Sequence, residues 1–91
     1  MEKNSLEVLH DQANNRFIVI SESHTAVLDY RLHANSILFT HTGVPPELEG
    51  RGIGRMLVKT GLEYARNNNL KVETVCWFVS KYIQRHPESV D

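Results

Sequence analysis

Three glycines occupy alternate positions in the stretch EGRGIG, residues 49–54, and their type and spacing suit the binding of an anion. An apolar, strand-like run precedes them and an amphipathic, helix-like run follows. A helix N-terminus has unpaired N–H groups and a partial positive charge. Glycine lets a phosphate approach the backbone because it has no Cβ. The pattern predicts a phosphate site at Gly50, Gly52 and Gly54; a tight strand-to-helix turn without a ligand is the alternative.

Two common nucleotide-binding motifs do not fit this stretch. A P-loop needs a Gly-Lys pair, and the chain contains none. The dinucleotide fingerprint GxGxxG needs a third glycine where Arg55 or Leu57 stands. Glu73 lies about 20 residues further on, as a ribose-binding acid would, but 91 residues cannot form the doubly wound sheet that the fingerprint serves.

The elements that must position the glycines follow from the spacing of apolar residues. Alternation, as in TAVLDYRL, indicates strands, whereas the period of about 3.6 residues after the glycines indicates a helix. The order β-β-β-β-α-β-α predicts an α+β fold with a mostly antiparallel sheet and one crossover. Strands are predicted at residues 6–10, 16–21, 25–32, 37–44 and 70–76, and helices at about 51–67 and at 77–85.

Length and composition indicate one globular domain over residues 1–91, with 41% hydrophobic and 23% charged residues. A formal net charge of −1 argues against nucleic acid as a partner. A single cysteine, Cys76, excludes an intramolecular disulfide and favours a reducing, cytoplasmic setting. No run is long enough to span a membrane, and the spacing of the histidines suggests no metal site. Histidines 10, 24, 33 and 86 are expected mostly in turns and in contact with solvent.

EGRGIG resembles the Q/R-x-x-G-x-G/A loop of the GNAT acetyltransferase superfamily, which binds the pyrophosphate of acetyl-coenzyme A. HTGVP, GRGIGRML, the cysteine that ends the next strand and YIQRHP are similar to the smallest stand-alone members, which have about this length. The resemblance covers roughly residues 37–87, and Glu49 departs from the usual Gln or Arg. It implies a compact GNAT-like fold without the inserted N-terminal helices or the C-terminal strands of larger enzymes.

The resemblance also implies where acetyl-coenzyme A would bind. The fourth and fifth strands would splay apart, and the pantetheine arm would pair with the fourth strand. A backbone N–H near Val44 would polarise the thioester carbonyl. The residues expected to bind the cosubstrate are Thr42, Gly43, Val44, Glu49, Gly50, Arg51, Gly52, Ile53, Gly54 and Arg55.

Three side chains are candidates for the chemistry that the resemblance implies. His41 would be the base for the attacking amine, with a structural histidine as the alternative. Tyr82 would protonate the departing thiolate, or else pack in the core. Cys76 could carry an acyl intermediate if a neighbour such as His41 lowered the pKa of the thiol; otherwise it is a small buried hydrophobe.

The function expected from the sequence is an acetyl-CoA-dependent N-acetyltransferase that acts on a small amine or an exposed lysine, by direct attack or through an acyl-cysteine. The alternative is a non-catalytic coenzyme A-binding or interaction module. Because the segments that form the acceptor pocket in larger enzymes are missing, the acceptor side is expected to be open, completed by a second subunit or absent. The chain is accordingly expected to be a monomer or a homodimer.

Overall fold

A computed structural model describes residues 6–90 and has the α+β architecture expected from the sequence. Five strands form one sheet in the order β1-β2-β3-β4-β5, with antiparallel pairing from β1 to β4 and parallel pairing between β4 and β5. Short 3₁₀ turns cover Gln12–Asn14, Pro46–Leu48 and Pro87–Val90. The strands and helices are β1 Leu9–Asp11, β2 Arg16–Ser21, β3 His24–His33, β4 Ser36–Gly43, α1 Ile53–Asn67, β5 Lys71–Thr74 and α2 Trp77–Arg85.

The core lies between one face of the sheet and α1. Phe17, Leu28 and Phe39 are fully buried on the sheet, and Leu57 and Val58 are fully buried on the helix. A Cβ on Gly61 would lie 3.0 Å from both the Leu28 Cδ2 and the Phe39 Cε1 atoms. The absence of a side chain at Gly61 therefore allows α1 to pack directly on β3 and β4.

The first and last strands are shorter than the sequence predicts. β1 begins at Leu9 rather than at residue 6, and β5 ends at Thr74 rather than at residue 76. The end of β5 has a local cause: the Thr74 hydroxyl accepts a hydrogen bond from the Cys76 N–H at 2.9 Å. This contact turns the chain away from β4 and into α2.

A β-bulge interrupts the pairing of β3 with β4. Tyr30 pairs with Phe39 and Asp29 pairs with His41, so Thr40 has no partner residue. Since directly paired residues share a face of the sheet, the extra residue reverses the alternation of β4. Thr42 pairs with the buried Leu28 and lies on the core face, whereas His41 lies on the opposite face.

His10 is packed in the fold, which corrects the expectation that it contacts solvent in a turn. It lies in β1, and its ring stacks on Phe17 with centroids 4.1 Å apart. Its Nε2 atom lies 2.6 Å from the Tyr30 hydroxyl oxygen, and its ring meets Tyr64 of α1 edge to face. Burial lowers the pKa of His10, against an opposing effect of Asp11. One side chain thus connects β1 to β2, β3 and α1.

Candidate active site

The end of β4 extends beyond its parallel neighbour. The β4–β5 ladder stops at the Phe39–Thr74 pair, apart from one further hydrogen bond from the Val75 N–H to the Phe39 carbonyl, while β4 continues to Gly43. Beyond Phe39, no strand within the described residues pairs with this edge of β4. Its backbone N–H and C=O groups can therefore pair with an extended ligand, as in strand addition to a sheet edge.

Two of the three glycines have a backbone conformation that other residues adopt only with strain. Gly50 has φ +84°, and Gly52, the residue before α1, has φ +74°. The cap residue of α1 is a glycine, so no side chain there accepts a hydrogen bond from the first amides of the helix. A Cβ on Gly50 would meet nothing within 4 Å. The loop therefore presents N–H groups to open space, as an anion site requires.

Gly54 has a different role from the other two. A Cβ at this position would lie 2.8 Å from the Phe78 Cζ atom, closer than real side chains approach. Gly54 is thus the point at which α1 and α2 touch. Because α2 follows directly from Cys76, this contact also fixes the direction of the helix that borders the site.

The side chain of Arg51 points away from the glycine loop. Its guanidinium donates to both carboxylate oxygens of Glu22 at 3.3 Å and to the Glu47 carbonyl at 3.5 Å. Glu22 belongs to the turn between β2 and β3. Arg51 thus holds the loop against the sheet.

A cavity of about 1,020 Å³ joins the open edge of β4, the glycine loop and α2. Its size is at the upper end of the roughly 300–1,000 Å³ common for ligand sites. All three candidate catalytic residues line it: His41, Cys76 and Tyr82. Gly43 and Arg51 are the predicted cosubstrate residues outside the lining. The predicted cosubstrate residues within it are Thr42, Val44, Glu49, Gly50, Gly52, Ile53, Gly54 and Arg55.

The thiol of Cys76 contacts the Thr42 hydroxyl in the cavity lining, with 3.4 Å between the Sγ and Oγ1 atoms. Partial burial raises the pKa of the thiol, but hydrogen bonds from the Thr42 hydroxyl and from the backbone amides of Val79, Phe78 and Thr42 together lower it by more. The net pKa of the thiol therefore lies below its ordinary value. The amides of Phe78 and Val79 belong to the first turn of α2, whose partial positive charge also favours a thiolate.

His41 and Tyr82 line the same cavity at other positions. His41 is exposed, and its Nε2 atom lies 3.0 Å from the position that a Cβ on Gly43 would take. The sequence suggested His41 as the neighbour that lowers the pKa of the Cys76 thiol. In the structure Thr42 is the side chain that does so, and His41 does not contribute. Tyr82 is half-buried on α2, and its ring centroid lies 4.6 Å from that of His86.

Comparison with known proteins identifies the family. Residues 16–91 match the family model described as GCN5-related N-acetyl-transferase. The chain belongs to this family. Its α+β fold and the resemblance stated from EGRGIG and its neighbours are thereby confirmed.

The alignments with individual relatives cover most of this chain. The protein NATD1 of Gallus gallus is 34% identical over 85 residues, which cover 90% of this chain and 77% of NATD1. The human NATD1 is also 34% identical, over 90% of this chain and 75% of its own length. The NMR structure of a GCN5-like candidate N-acetyltransferase from Staphylococcus aureus has a TM-score of 0.73 at 34% identity, over 92% of this chain and 83% of that one.

Several residues of this GCN5-related site were not found from the sequence. The cavity is also lined by Lys81, Arg85 and His86 of the C-terminal segment. The side chain of His86 is 45% exposed, so it contacts solvent as expected and also borders the cavity. The spacing of Lys81 and Arg85, four residues apart on a predicted helix, could have indicated a shared face.

The family generally uses acetyl-coenzyme A as the acyl donor, and two further observations describe this member. Within residues 6–90, no group of three or more His, Cys, Asp or Glu side chains could hold a metal ion. Neither helix of this segment has the length and apolar character needed to cross a bilayer.

Proposed function

We propose that this protein is an acetyl-CoA-dependent N-acetyltransferase. The observation that carries the proposal is one continuous cavity that contains an outward-facing helix N-terminus, an unpaired strand edge and an acidified thiol. The glycine loop would bind the pyrophosphate of acetyl-coenzyme A through backbone amides. The edge of β4 from Thr42 to Val44 would pair with the pantetheine arm, and this pairing would direct the thioester toward Cys76.

The chemistry of Cys76 favours a route through an acyl-cysteine. The thiolate attacks the acetyl carbonyl, a C–S bond forms to Cys76, and the C–S bond to the coenzyme breaks as its thiolate leaves. A proton from Tyr82 would neutralise that thiolate. The acceptor amine then attacks the acetyl-cysteine and loses a proton to His41, and the Cys76 thiolate leaves as the amide forms. Solvent carries the proton from His41 back to Tyr82. Acceptors of this reaction would be small amines or exposed lysines.

Binding is tested by following the backbone amide resonances while coenzyme A is added. We expect the largest shifts between Gly50 and Arg55, with smaller ones from Thr42 to Val44. Shifts centred on another part of the chain, or no shifts, would contradict the proposed site. The stability of the protein should also rise with the concentration of coenzyme A, since a ligand that binds only the native state stabilises it.

Catalysis is tested separately with acetyl-coenzyme A and a panel of amines and lysine peptides, by measuring the acetylated product and the released thiol. Intact-mass measurement without an amine should detect one added acetyl group, absent in Cys76→Ser. Product formation that survives Cys76→Ser would support direct attack by the amine instead. Binding with no turnover on any amine would leave the non-catalytic coenzyme A-binding module as the function.

A further inference from the structure

Cationic side chains are concentrated at the candidate active site. Arg55, Lys81 and Arg85 line the cavity, and Glu49 is the one carboxylate of its lining. Within residues 6–90, the ion pairs involve other side chains and leave these three cations without a carboxylate partner. The whole chain has a net charge of −1, so this local excess of positive charge is not a reflection of composition.

The three cations form two separate positions. Arg55 lies in the first turn of α1 and reaches the glycine loop, since its Nη2 atom lies 3.8 Å from the place that a Cβ on Gly52 would take. Lys81 and Arg85 lie four residues apart on α2 and therefore share one side of that helix. The Lys81 Nζ atom lies 5.9 Å from the centre of the Trp77 ring, one turn toward the helix N-terminus. We call Lys81 and Arg85 the α2 cation pair.

Coenzyme A carries negative charge in two places, the pyrophosphate and the 3′-phosphate of its adenosine. In the proposed function, on which this inference rests, the backbone amides of the glycine loop bind the pyrophosphate, and Arg55 lies beside that loop. We propose that the α2 cation pair binds the 3′-phosphate. Lysine and arginine are the side chains that bind phosphate monoesters through charge-assisted hydrogen bonds. The protein would therefore distinguish coenzyme A from 3′-dephospho-coenzyme A by contacts made on α2.

Arg85 also lies in the last turn of α2, where a positive charge stabilises a helix without any ligand. The two roles differ in what they affect: a purely structural role changes stability and affects the binding of both coenzyme forms equally. A role in phosphate binding changes the affinity for coenzyme A alone. Measurement with the two coenzyme forms therefore separates them.

The experiment is calorimetric titration of the full chain with coenzyme A and with 3′-dephospho-coenzyme A. We expect coenzyme A to bind at least about tenfold more tightly. Lys81→Gln and Arg85→Gln should each weaken coenzyme A binding roughly three- to tenfold, a modest effect because both side chains are exposed. The double variant should bind the two forms equally, with unchanged affinity for the dephospho form.

Two control variants accompany these measurements. Lys71→Gln removes an exposed lysine of β5 outside the cavity and should keep the full preference for coenzyme A. Lys81→Arg keeps the charge and should keep the preference as well. Thermal unfolding of each variant checks that the native state is populated during the titration.

Each remaining outcome overturns a defined claim. Equal binding of both coenzymes by the unmodified protein would refute the 3′-phosphate site and leave coenzyme A binding intact. A preference that persists in the double variant would assign the 3′-phosphate to other residues. If neither coenzyme binds the unmodified protein, the proposed function itself is wrong, and this inference fails with it.

Discussion

At the scale of single residues, the neighbours of Cys76 decide its chemistry. Its thiol lies 3.4 Å from the Thr42 hydroxyl and at the N-terminus of α2. Because these groups lower the pKa of the thiol below its ordinary value, alkylation by iodoacetamide should reach half of its maximal rate at a lower pH than for an unperturbed cysteine. Thr42→Val, which keeps the shape and removes the hydroxyl, should move this midpoint to higher pH.

Thr40→Val is the matched control for that measurement. The Thr40 hydroxyl also lies at the cavity, but it donates to the Asp29 carbonyl rather than to the thiol. This variant should keep the alkylation midpoint of the unmodified protein. An unchanged midpoint in Thr42→Val would show that the backbone amides of Thr42, Phe78 and Val79 lower the pKa of Cys76 without the Thr42 hydroxyl.

The second residue-scale prediction concerns the charge that the glycine loop tolerates. Asparagine and aspartate both adopt positive φ more readily than other side chains, so Gly52→Asn and Gly52→Asp should impose similar backbone strain. Only aspartate adds a negative charge beside the α1 N-terminus. Gly52→Asp should therefore lose at least about tenfold more affinity for coenzyme A than Gly52→Asn. Similar losses in both variants, measured by titration, would indicate that the loop does not bind the pyrophosphate.

The sequence placed Cys76 beside the expected pantetheine site, and Cys76 lines the cavity. It precedes α2 rather than ending a strand, because β5 stops at Thr74. The Thr42–Cys76 contact could not be predicted, because it depends on a β-bulge at Thr40 that the sequence of the strand does not indicate. The pairing of Arg51 with Glu22 could not be predicted either, because the two residues lie 29 positions apart in the sequence.

At the scale of elements, the contact between α1 and α2 depends on Gly54. Its missing side chain leaves room for the Phe78 ring, which a Cβ would approach to 2.8 Å. Gly54→Ala should therefore displace α2 and lower the free energy of unfolding by about 1–3 kcal/mol, as overpacking commonly does. Chemical denaturation measures this loss.

A second substitution tests whether a clash with Phe78 causes the loss of stability in Gly54→Ala. In the Gly54→Ala background, Phe78→Leu should recover part of the lost stability, because the shorter side chain gives room to the new methyl group. The two changes should thus be non-additive, as expected of residues in contact. Strict additivity would place the origin of the destabilisation elsewhere.

The order and type of the elements could be predicted because periodicity differs between strands and helices. Asn69, with φ 55°, follows α1 in the left-handed conformation that asparagine adopts more readily than most residues. The limits of β5 were predicted less well. The Thr74 hydroxyl ends the strand through hydrogen bonds to its neighbours, although Val75 and Cys76 continue the apolar pattern.

At the scale of the whole molecule, His10 links the edge of the sheet to α1, and this link should make stability depend on pH. Asp11, the Tyr30 and Tyr64 hydroxyls and the Gln12 amide are the polar groups around it. Burial lowers the pKa of His10 in the folded state. As the pH falls through about 6.5, the unfolded chain binds a proton that the folded chain does not yet bind, so the free energy of unfolding decreases.

The measurement is the urea midpoint between pH 8 and pH 5. The unmodified protein should be most stable above the histidine titration range and lose stability as the pH falls. His10→Gln removes the titrating group, so its midpoint should change less with pH, whatever its stability at pH 8. The same slope in both proteins would assign the pH dependence to other groups.

The distribution of charge over the molecule was not predictable from its net value. A charge of −1 argues against a general polyanion-binding surface, yet Arg55, Lys81 and Arg85 meet at one cavity. They lie on two helices joined by a strand, so only the crossover brings them together. The predicted loop-helix-strand order was sufficient to propose a phosphate site at the glycine loop, but the packing of α2 was needed to find the cations on the other side of the cavity.

The bulge at Thr40 has a consequence for comparing this protein with its relatives. Because β4 holds one residue more than β3 opposite it, counting along the chain from Phe39 does not give the face on which a later residue lies. A homologue with a regular strand here would present a different position of its sequence to the thiol. Alignments used to transfer catalytic assignments should therefore allow a one-residue gap before His41, and equivalence should be judged by strand pairing.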